Sequence, residues 1–249
     1  MDVEDFRSVL LGIKKSKPEE IYFLSGQSSV SLSFEQPAET IQSFTVGVLN
    51  VLEAVKMMDY RIKVYHAGSS EAFGDTLGVA ATEETPFQPR SPYALAKASA
   101  TWLVNNYREA YQLFACTGIL FNHESPLRPT RFVTQKIISS ALRIANGSSE
   151  KLELGRLDIS RDWGWAPEYV EAMWTMLQQD QPEDYIIATG TSHSLQEFVA
   201  TTFAKLDMDW KDHVVQSPDL MRPTDLAISK ANPAKAAQRL GWKATKSME

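Results

Sequence analysis

Short apolar runs that end in small polar residues alternate along this chain with longer amphipathic stretches, and that alternation limits the possible folds more than any other feature. "EIYFLSG" (20 to 26), "IKVYHAGSS" (62 to 70) and "FACTGILFN" (114 to 122) are almost wholly apolar before their polar ends, the pattern of strands buried on both faces. Between them lie helical patterns. Val3, Phe6, Val9, Leu10 and Ile13 recur at helical spacing behind an acidic start, and Lys14, Lys15 and Lys17 suit the negative end of the helix dipole before Pro18. Ile41, Phe44, Val48, Leu52 and Val55 make a second apolar stripe, for which Ser33 and Gln36 offer a capping box. Further on come a helix over about 131 to 146, the short strand "KLELG", a helix near 167 to 180, the strand "DYIIATG" and a helix over about 194 to 206. The expected fold is α/β with a parallel sheet.

In an open sheet of this kind ligands gather at the carboxyl ends of the strands. That rule marks the loops "LSGQSS" (24 to 29), "AGSSEAFG" (67 to 74) and "LFNHESP" (120 to 126). A fourth feature joins them. In "SPYALAKASATW" (91 to 102) Ser91 and Pro92 fit the N-cap and first position of a helix, so Tyr93 falls in its first turn and Lys97 one turn later on the same face. A nearby ammonium favours the phenolate form of a tyrosine, so the pair suits proton transfer. Taken alone, Y-x-x-x-K is a common spacing; here the preceding strand ends in Ser69, Ser70 and Glu71, which place a hydroxyl and a carboxylate within reach of the same pocket.

Composition excludes other readings. The 249 residues carry 25 Lys and Arg against 31 Asp and Glu, a net charge of −6, with no basic run to follow a phosphate backbone, so nucleic acid is not the expected partner. Cys116, the single cysteine, lies in an apolar run and forms no disulfide within the chain, which suits a reducing cytoplasm. No stretch reaches the eighteen apolar residues of a membrane span, and the first residues are acidic and amphipathic, unlike a secretion signal. A soluble, cytoplasmic protein with no metal site is expected.

The ordered set "GSSEAFG", "ETPFQPRSPYALAKASATWLVNNYREAY", "ACTGILFNHESP", "FVTQKI", "RDWG" and "QQDQPEDYIIATG" resembles the GDP-mannose 4,6-dehydratases, extended members of the short-chain dehydrogenase/reductase superfamily. The resemblance covers nearly the whole chain. It implies a truncated Rossmann domain over residues 1–121 plus 165–190 and a smaller sugar-nucleotide-binding domain over 122–164 plus 191–249. Members of the family begin with a strand, a glycine-rich turn and a helix; this sequence holds no G-x-x-G-x-x-G, and its first helix matches the one after the family's third strand. On that reading an N-terminal segment on the order of sixty to seventy residues precedes the matching region in relatives, and "EIYFLSG" is strand 4 of the order 3-2-1-4-5-6-7, with an unpaired edge.

The resemblance implies the dehydration of GDP-mannose to GDP-4-keto-6-deoxymannose by internal hydride transfer. Tyr93 would take the proton of the sugar 4-hydroxyl, with Lys97 keeping it ionised and holding the ribose. Glu71 would remove the C5 proton and help expel the 6-hydroxyl as water, which separates a dehydratase from a simple dehydrogenase. Ser69 stands where the family has threonine and keeps the hydroxyl near O4. Leu24, Ser25, Gly26, Gln27 and Ser28 match the loop that approaches the dinucleotide, and His123 and Arg128 match positions beside the nicotinamide and phosphates. NADP is the implied cofactor, with NAD the alternative. Asn122, Lys136, Arg161, Arg222 and Asp225 match positions that meet the nucleotide sugar and its diphosphate. "RPTD" replaces the family's "RPAE" and "QSSV" its "QSHV", both near the substrate. A homodimer or homotetramer, joined through helices that include the Tyr-Lys helix, is implied as well. Two other readings compete: a non-catalytic fragment that binds GDP-sugar, and a reductase or epimerase of a related nucleotide sugar, against which Glu71 argues.

Overall fold

The computed structural model describes residues 1–221 and 224–248. Its main sheet has four parallel strands in the order β1 (Glu20–Phe23), β2 (Lys63–Ser69), β3 (Ala115–Leu120) and β7 (Tyr185–Ile187). Each parallel step needs a crossover, which the amphipathic stretches supply. This is the α/β architecture the alternation implies. Strand β1 pairs only with β2 among the described residues, so its outer edge is open, as the strand order of the resemblance requires.

Helix α1 (Phe6–Ser16) opens at Asp5, whose carboxylate accepts from the Arg7 N–H, and closes at Lys17 in the left-handed conformation. The second helical region differs from the expected single helix capped by Ser33. It begins earlier, at α2 (Val30–Glu35), with Ser29 as the N-cap, while the Ser33 hydroxyl turns inward and donates to the Val30 carbonyl. Pro37 cannot continue the hydrogen-bond ladder, so the chain restarts as α3 (Pro37–Ile41), passes through a π-helical turn (Gln42–Val46) and settles into α4 (Gly47–Lys56). Helix α5 (Pro92–Tyr111) starts as read from sequence: the Ser91 hydroxyl accepts from the Ala94 N–H at 3.1 Å, and Pro92 takes the first position.

Two apolar layers cover the main sheet. On one face Val9 and Ile13 of α1, Val48 and Leu52 of α4 and Val104 of α5 pack on Phe23 and Val64. On the other, α7 (Ala166–Leu177) brings Tyr169, Ala172 and Met176 against Tyr65, Cys116 and Tyr185, and the C-terminal α9 (Ala234–Arg239) and Trp242 return to the same layer. A separate core lies between α6 (Val133–Ala145), α8 (Leu195–Ala204) and β5 (Leu152–Leu154), where Ile137, Leu154, Trp163, Phe198 and Phe203 meet. Short strands stitch this second lobe together. They are β4 (Asn122–Glu124), β6 (Ser160–Trp165) and β8 (Ser192–Ser194) in one sheet, and β5 with β9 (Val214–Gln216) in another. Strand β5 is the expected "KLELG" strand, and the others were not read from the sequence.

Candidate active site

The carboxyl ends of β1, β2 and β3 face the start of α5, and the marked loops meet there. Ser69 ends β2 and caps the 3₁₀ turn Ser70–Phe73, its hydroxyl accepting from the Glu71 N–H at 3.3 Å. Gly74, at φ +66°, closes this turn so tightly that a Cβ would lie 2.0 Å from the Gln88 carbonyl oxygen. The turn fixes the Glu71 backbone two residues beyond the strand.

Tyr93 lies across from it on the first turn of α5. Burial pushes its phenol up to about 12; a hydrogen bond with Ser69 pulls it back, the Glu71 carboxylate raises it and the Arg128 guanidinium lowers it. Ser69, Glu71, Tyr93 and Arg128 therefore share one electrostatic environment. Lys97 sits a turn below, 6% exposed, its Nζ donating to the Ala67 carbonyl at 2.7 Å and standing 5.9 Å from the Tyr93 ring centre. Burial pulls its ammonium down to about 7.

The loop after β1 lies beside this pair. Leu24 is exposed, Gln27 donates to the Ser29 carbonyl and the Thr40 hydroxyl, and Gly26 has φ +119°; Ser25 and Ser28 complete an exposed polar turn. His123 Nδ1 lies 2.9 Å from the Phe121 carbonyl oxygen, its ring stacks on Tyr169 at 4.8 Å, and burial lowers its pKa. Arg128 pairs with Glu124 at 2.9 Å and lies over Phe132. That carboxylate also accepts from Thr134, and burial raises its pKa.

The residues assigned to the nucleotide sugar belong to the second lobe. Arg161, 5% exposed, donates to the Leu226 carbonyl and to Asp225, both at 2.8 Å, so these two predicted contacts form a pair with each other. Asn122 occupies the neighbouring strand, opposite Trp163. Lys136 lies apart, its Nζ donating to the Glu153 carbonyl. Arg222 falls outside the described residues. Asp225 lines a cavity of about 250 Å³ with Asp75, Arg90, Thr224 and Leu226. The Thr224 hydroxyl donates to the Arg90 carbonyl, one residue before the α5 cap, so the cavity adjoins the helix that carries Tyr93. Asp75, Arg90 and Thr224 were given no role from sequence, since nothing in their spacing distinguishes them from loop residues.

Among the described residues no group of three or more His, Cys, Asp or Glu side chains could hold a metal ion, and no helix is long and apolar enough to cross a membrane.

The parallel sheet with helices on both faces defines the class by its fold, which is of the Rossmann type. RMD from Pseudomonas aeruginosa, solved with NADPH, superposes with a TM-score of 0.89 at 23% identity, over 99% of this chain and 82% of its own. The dTDP-glucose 4,6-dehydratase DesIV from Streptomyces venezuelae, solved with NAD and TYD, gives 0.89 at 19% identity, over 99% and 74%. At the level of sequence the pattern described as GDP-mannose 4,6 dehydratase matches residues 1–249, and the chain belongs to that family. GDP-mannose 4,6 dehydratase 1 of Arabidopsis thaliana is 48% identical over 246 residues, which are 97% of this chain and 68% of the relative. The Homo sapiens GDP-mannose 4,6 dehydratase is 44% identical over 261 residues, 97% of this chain and 70% of the relative. The chain thus spans about two thirds of the length of these curated relatives.

Proposed function

We propose that this chain carries the catalytic centre of a GDP-mannose 4,6-dehydratase, which converts GDP-mannose to GDP-4-keto-6-deoxymannose. The observation that carries the reading is the convergence of Ser69, Glu71 and Tyr93 at the end of β2, with Tyr93 bonded to Ser69 and sensing the charge of Glu71. A dehydrogenase needs only the tyrosine and its lysine. A second carboxylate within the electrostatic reach of the tyrosine supplies the base for the C5 proton.

The donor set fits a nicotinamide dinucleotide: a phenol, an ammonium and an imidazole stand at the strand ends beside the polar turn over 24–28. When bound, that group would supply a reversible hydride acceptor for the sugar carbon. NADP is the form proposed, supported by the NADPH of the RMD structure. Tyr93 takes and holds the proton of the 4-hydroxyl, Lys97 orients the ribose, and Ser69, hydrogen-bonded to the tyrosine, offers its hydroxyl to the sugar O4. Glu71 takes the C5 proton once a 4-ketone acidifies that carbon, and then returns it to the departing 6-hydroxyl as water leaves. Leu24 to Ser28, His123 and Arg128 line the cofactor side; Asn122, Lys136, Arg161, Arg222 and Asp225 are assigned to the sugar nucleotide.

The separate apolar cores support a division into a Rossmann lobe, 1–121 with 165–190, and a substrate lobe, 122–164 with 191–249, except that α9 and Trp242 of the latter range pack on the main sheet. Leu95 and Trp102, 48% and 65% exposed and two turns apart on α5, support self-association through that helix, as a homodimer or homotetramer. A buried, unpaired Cys116 suits a cytoplasmic setting.

The test follows the loss of one water from GDP-mannose by mass spectrometry with NADP present, in the chain alone and joined to a family N-terminal βαβ unit. Glu71→Gln in the active form abolishes dehydration or halts it at the 4-keto sugar. Unimpaired dehydration in that variant refutes the assignment of Glu71.

A further inference from the structure

We propose that Phe44 is a positioning residue for Lys97, its ring face holding the lysine ammonium in place beside Tyr93; this rests on the dehydratase reading of the Tyr93–Lys97 pair. Sequence places Phe44 in an apolar stripe with Val48, Leu52 and Val55, as an ordinary core residue. The structure separates it from that group. It lies in the π-helical turn Gln42–Val46, where an extra residue in the turn redirects the side chain away from the α1–α4 layer.

The ring, 2% exposed, touches three parts of the site. Its centre lies 3.9 Å from Lys97 Nζ. Its edge meets the Tyr93 ring at 5.5 Å and 86°. On the side of the cofactor loop it fills the space beside Gly26, where a Cβ would fall 2.3 Å from the Phe44 Cε1 atom. A lysine and a tyrosine one turn apart are thus spanned by one rigid aromatic.

The chemistry explains why a ring suits this position. Burial disfavours the ammonium, and the Ala67 carbonyl accepts only one of its three protons. The electron-rich ring face attracts the cation without fixing a proton in a directional bond. A carboxylate there would lock Lys97 into an ion pair; an aliphatic side chain would give its charge no support. The ring does neither, and leaves N–H groups able to turn toward a ribose hydroxyl. The other ionisable groups around the pair are His66 on β2, whose own pKa Lys97 helps to lower, with Glu71 and Arg128 acting on Tyr93.

The experiment titrates Lys97 directly in the whole chain carrying ¹³Cε-labelled lysine, with its NMR signal assigned by its loss in Lys97→Arg. No substrate is needed, so the result is independent of whether GDP-mannose is turned over. Phenylalanines bearing one, two and three ring fluorines at position 44 keep the shape of the side chain and drain its ring face stepwise. The Lys97 pKa falls with each fluorine, and by about half to one and a half units in Phe44→Leu, which has no ring. Melting curves of the fluorinated forms stay close to that of the parent. A Lys97 pKa that ignores fluorination, or a fall in Phe44→Leu alone, means that the ring only fills space and overturns the proposal. If the titration responds and dehydration is absent, the positioning contact stands and the functional reading fails.

Discussion

Replacing Asp184 by alanine unlocks α5 from the sheet, and the cost follows from the bonds its carboxylate receives. Asp184 lies just before β7 and accepts from Arg108 Nη1 at 2.9 Å, from Arg108 Nη2 at 3.0 Å and from the Thr117 N–H at 2.7 Å. Arg108 is in the last turn of α5, and its Nη1 also reaches the Ala115 carbonyl. One carboxylate therefore ties the helix that bears Tyr93 and Lys97 to two neighbouring strands. The two side chains are only 20% and 14% exposed, so little solvent screening applies. Breaking a buried pair and leaving its guanidinium uncompensated costs about 3 to 5 kcal/mol, and the small exposure places this site near the lower end. An orphaned strand N–H adds about 1 kcal/mol or more. At about 2 to 4 °C per kcal/mol for a chain of this size, Asp184→Ala melts about 8 to 16 °C below the parent. Asp184→Asn keeps an acceptor for Thr117 and loses roughly half as much. Thermal unfolding by circular dichroism measures both, with a double-mutant cycle against Arg108→Ala to isolate the pair. A melting point for Asp184→Ala within 2 °C of the parent refutes the reasoning.

Gly26→Ala sets a Cβ against Phe44 at a backbone conformation that L-residues avoid, so it lowers the melting point and weakens binding of the nicotinamide dinucleotide at least tenfold by calorimetry. Lys97→Met responds to pH with a definite sign. The folded-state pKa of about 7 lies below the ordinary lysine value of 10.5, so the unfolded chain binds more protons between those limits and the parent gains stability as pH rises through them. Below pH 7 the parent bears the full penalty of its buried ammonium, on the order of 5 kcal/mol at most, so Lys97→Met is the more stable there and loses the advantage by pH 10.5 in denaturant titrations. A constant difference across that window counts against the assigned burial.

The main sheet was legible because parallel strands buried on both faces are nearly continuous apolar runs, as Val64 to Gly68 and Ala115 to Leu120 are apart from the buried His66 and Thr117. The α5 start was equally clear, since Ser91 and Pro92 act through local chemistry. The second helical region was misread where two local rules competed. Ser33 and Gln36 have capping-box spacing, but Ser29 captures the first turn and Pro37 ends it, so the expected cap became a buried hydroxyl inside α2. The three-residue strands β4, β8 and β9 are too short for any period to show, and exist because the second lobe pairs them. In the site, the residues near one another in sequence were found together: Ser69 with Glu71, and Tyr93 with Lys97. The Arg161–Asp225 pair spans 64 residues, and its partnership is set by the return of the chain through Leu226.

Phe44 shows where the limit lies. Its identity and spacing are those of a core residue, and only the π turn, which depends on how α3 meets α4, carries it to the lysine. The same packing then accounts for the protonation of the pair. Burial moves the tyrosine up to about 12 and the lysine down to about 7, so both favour their neutral forms and only the lysine titrates near neutrality. Ser69 and Arg128 are the groups that bring the phenol back toward ionisation, while Glu71, while charged, opposes it. Protonating Glu71 removes that opposition. On the proposed reading, a Glu71 that has taken the C5 proton would thereby ease the return of Tyr93 to its phenolate, so that the base of the second step sets the charge of the base of the first.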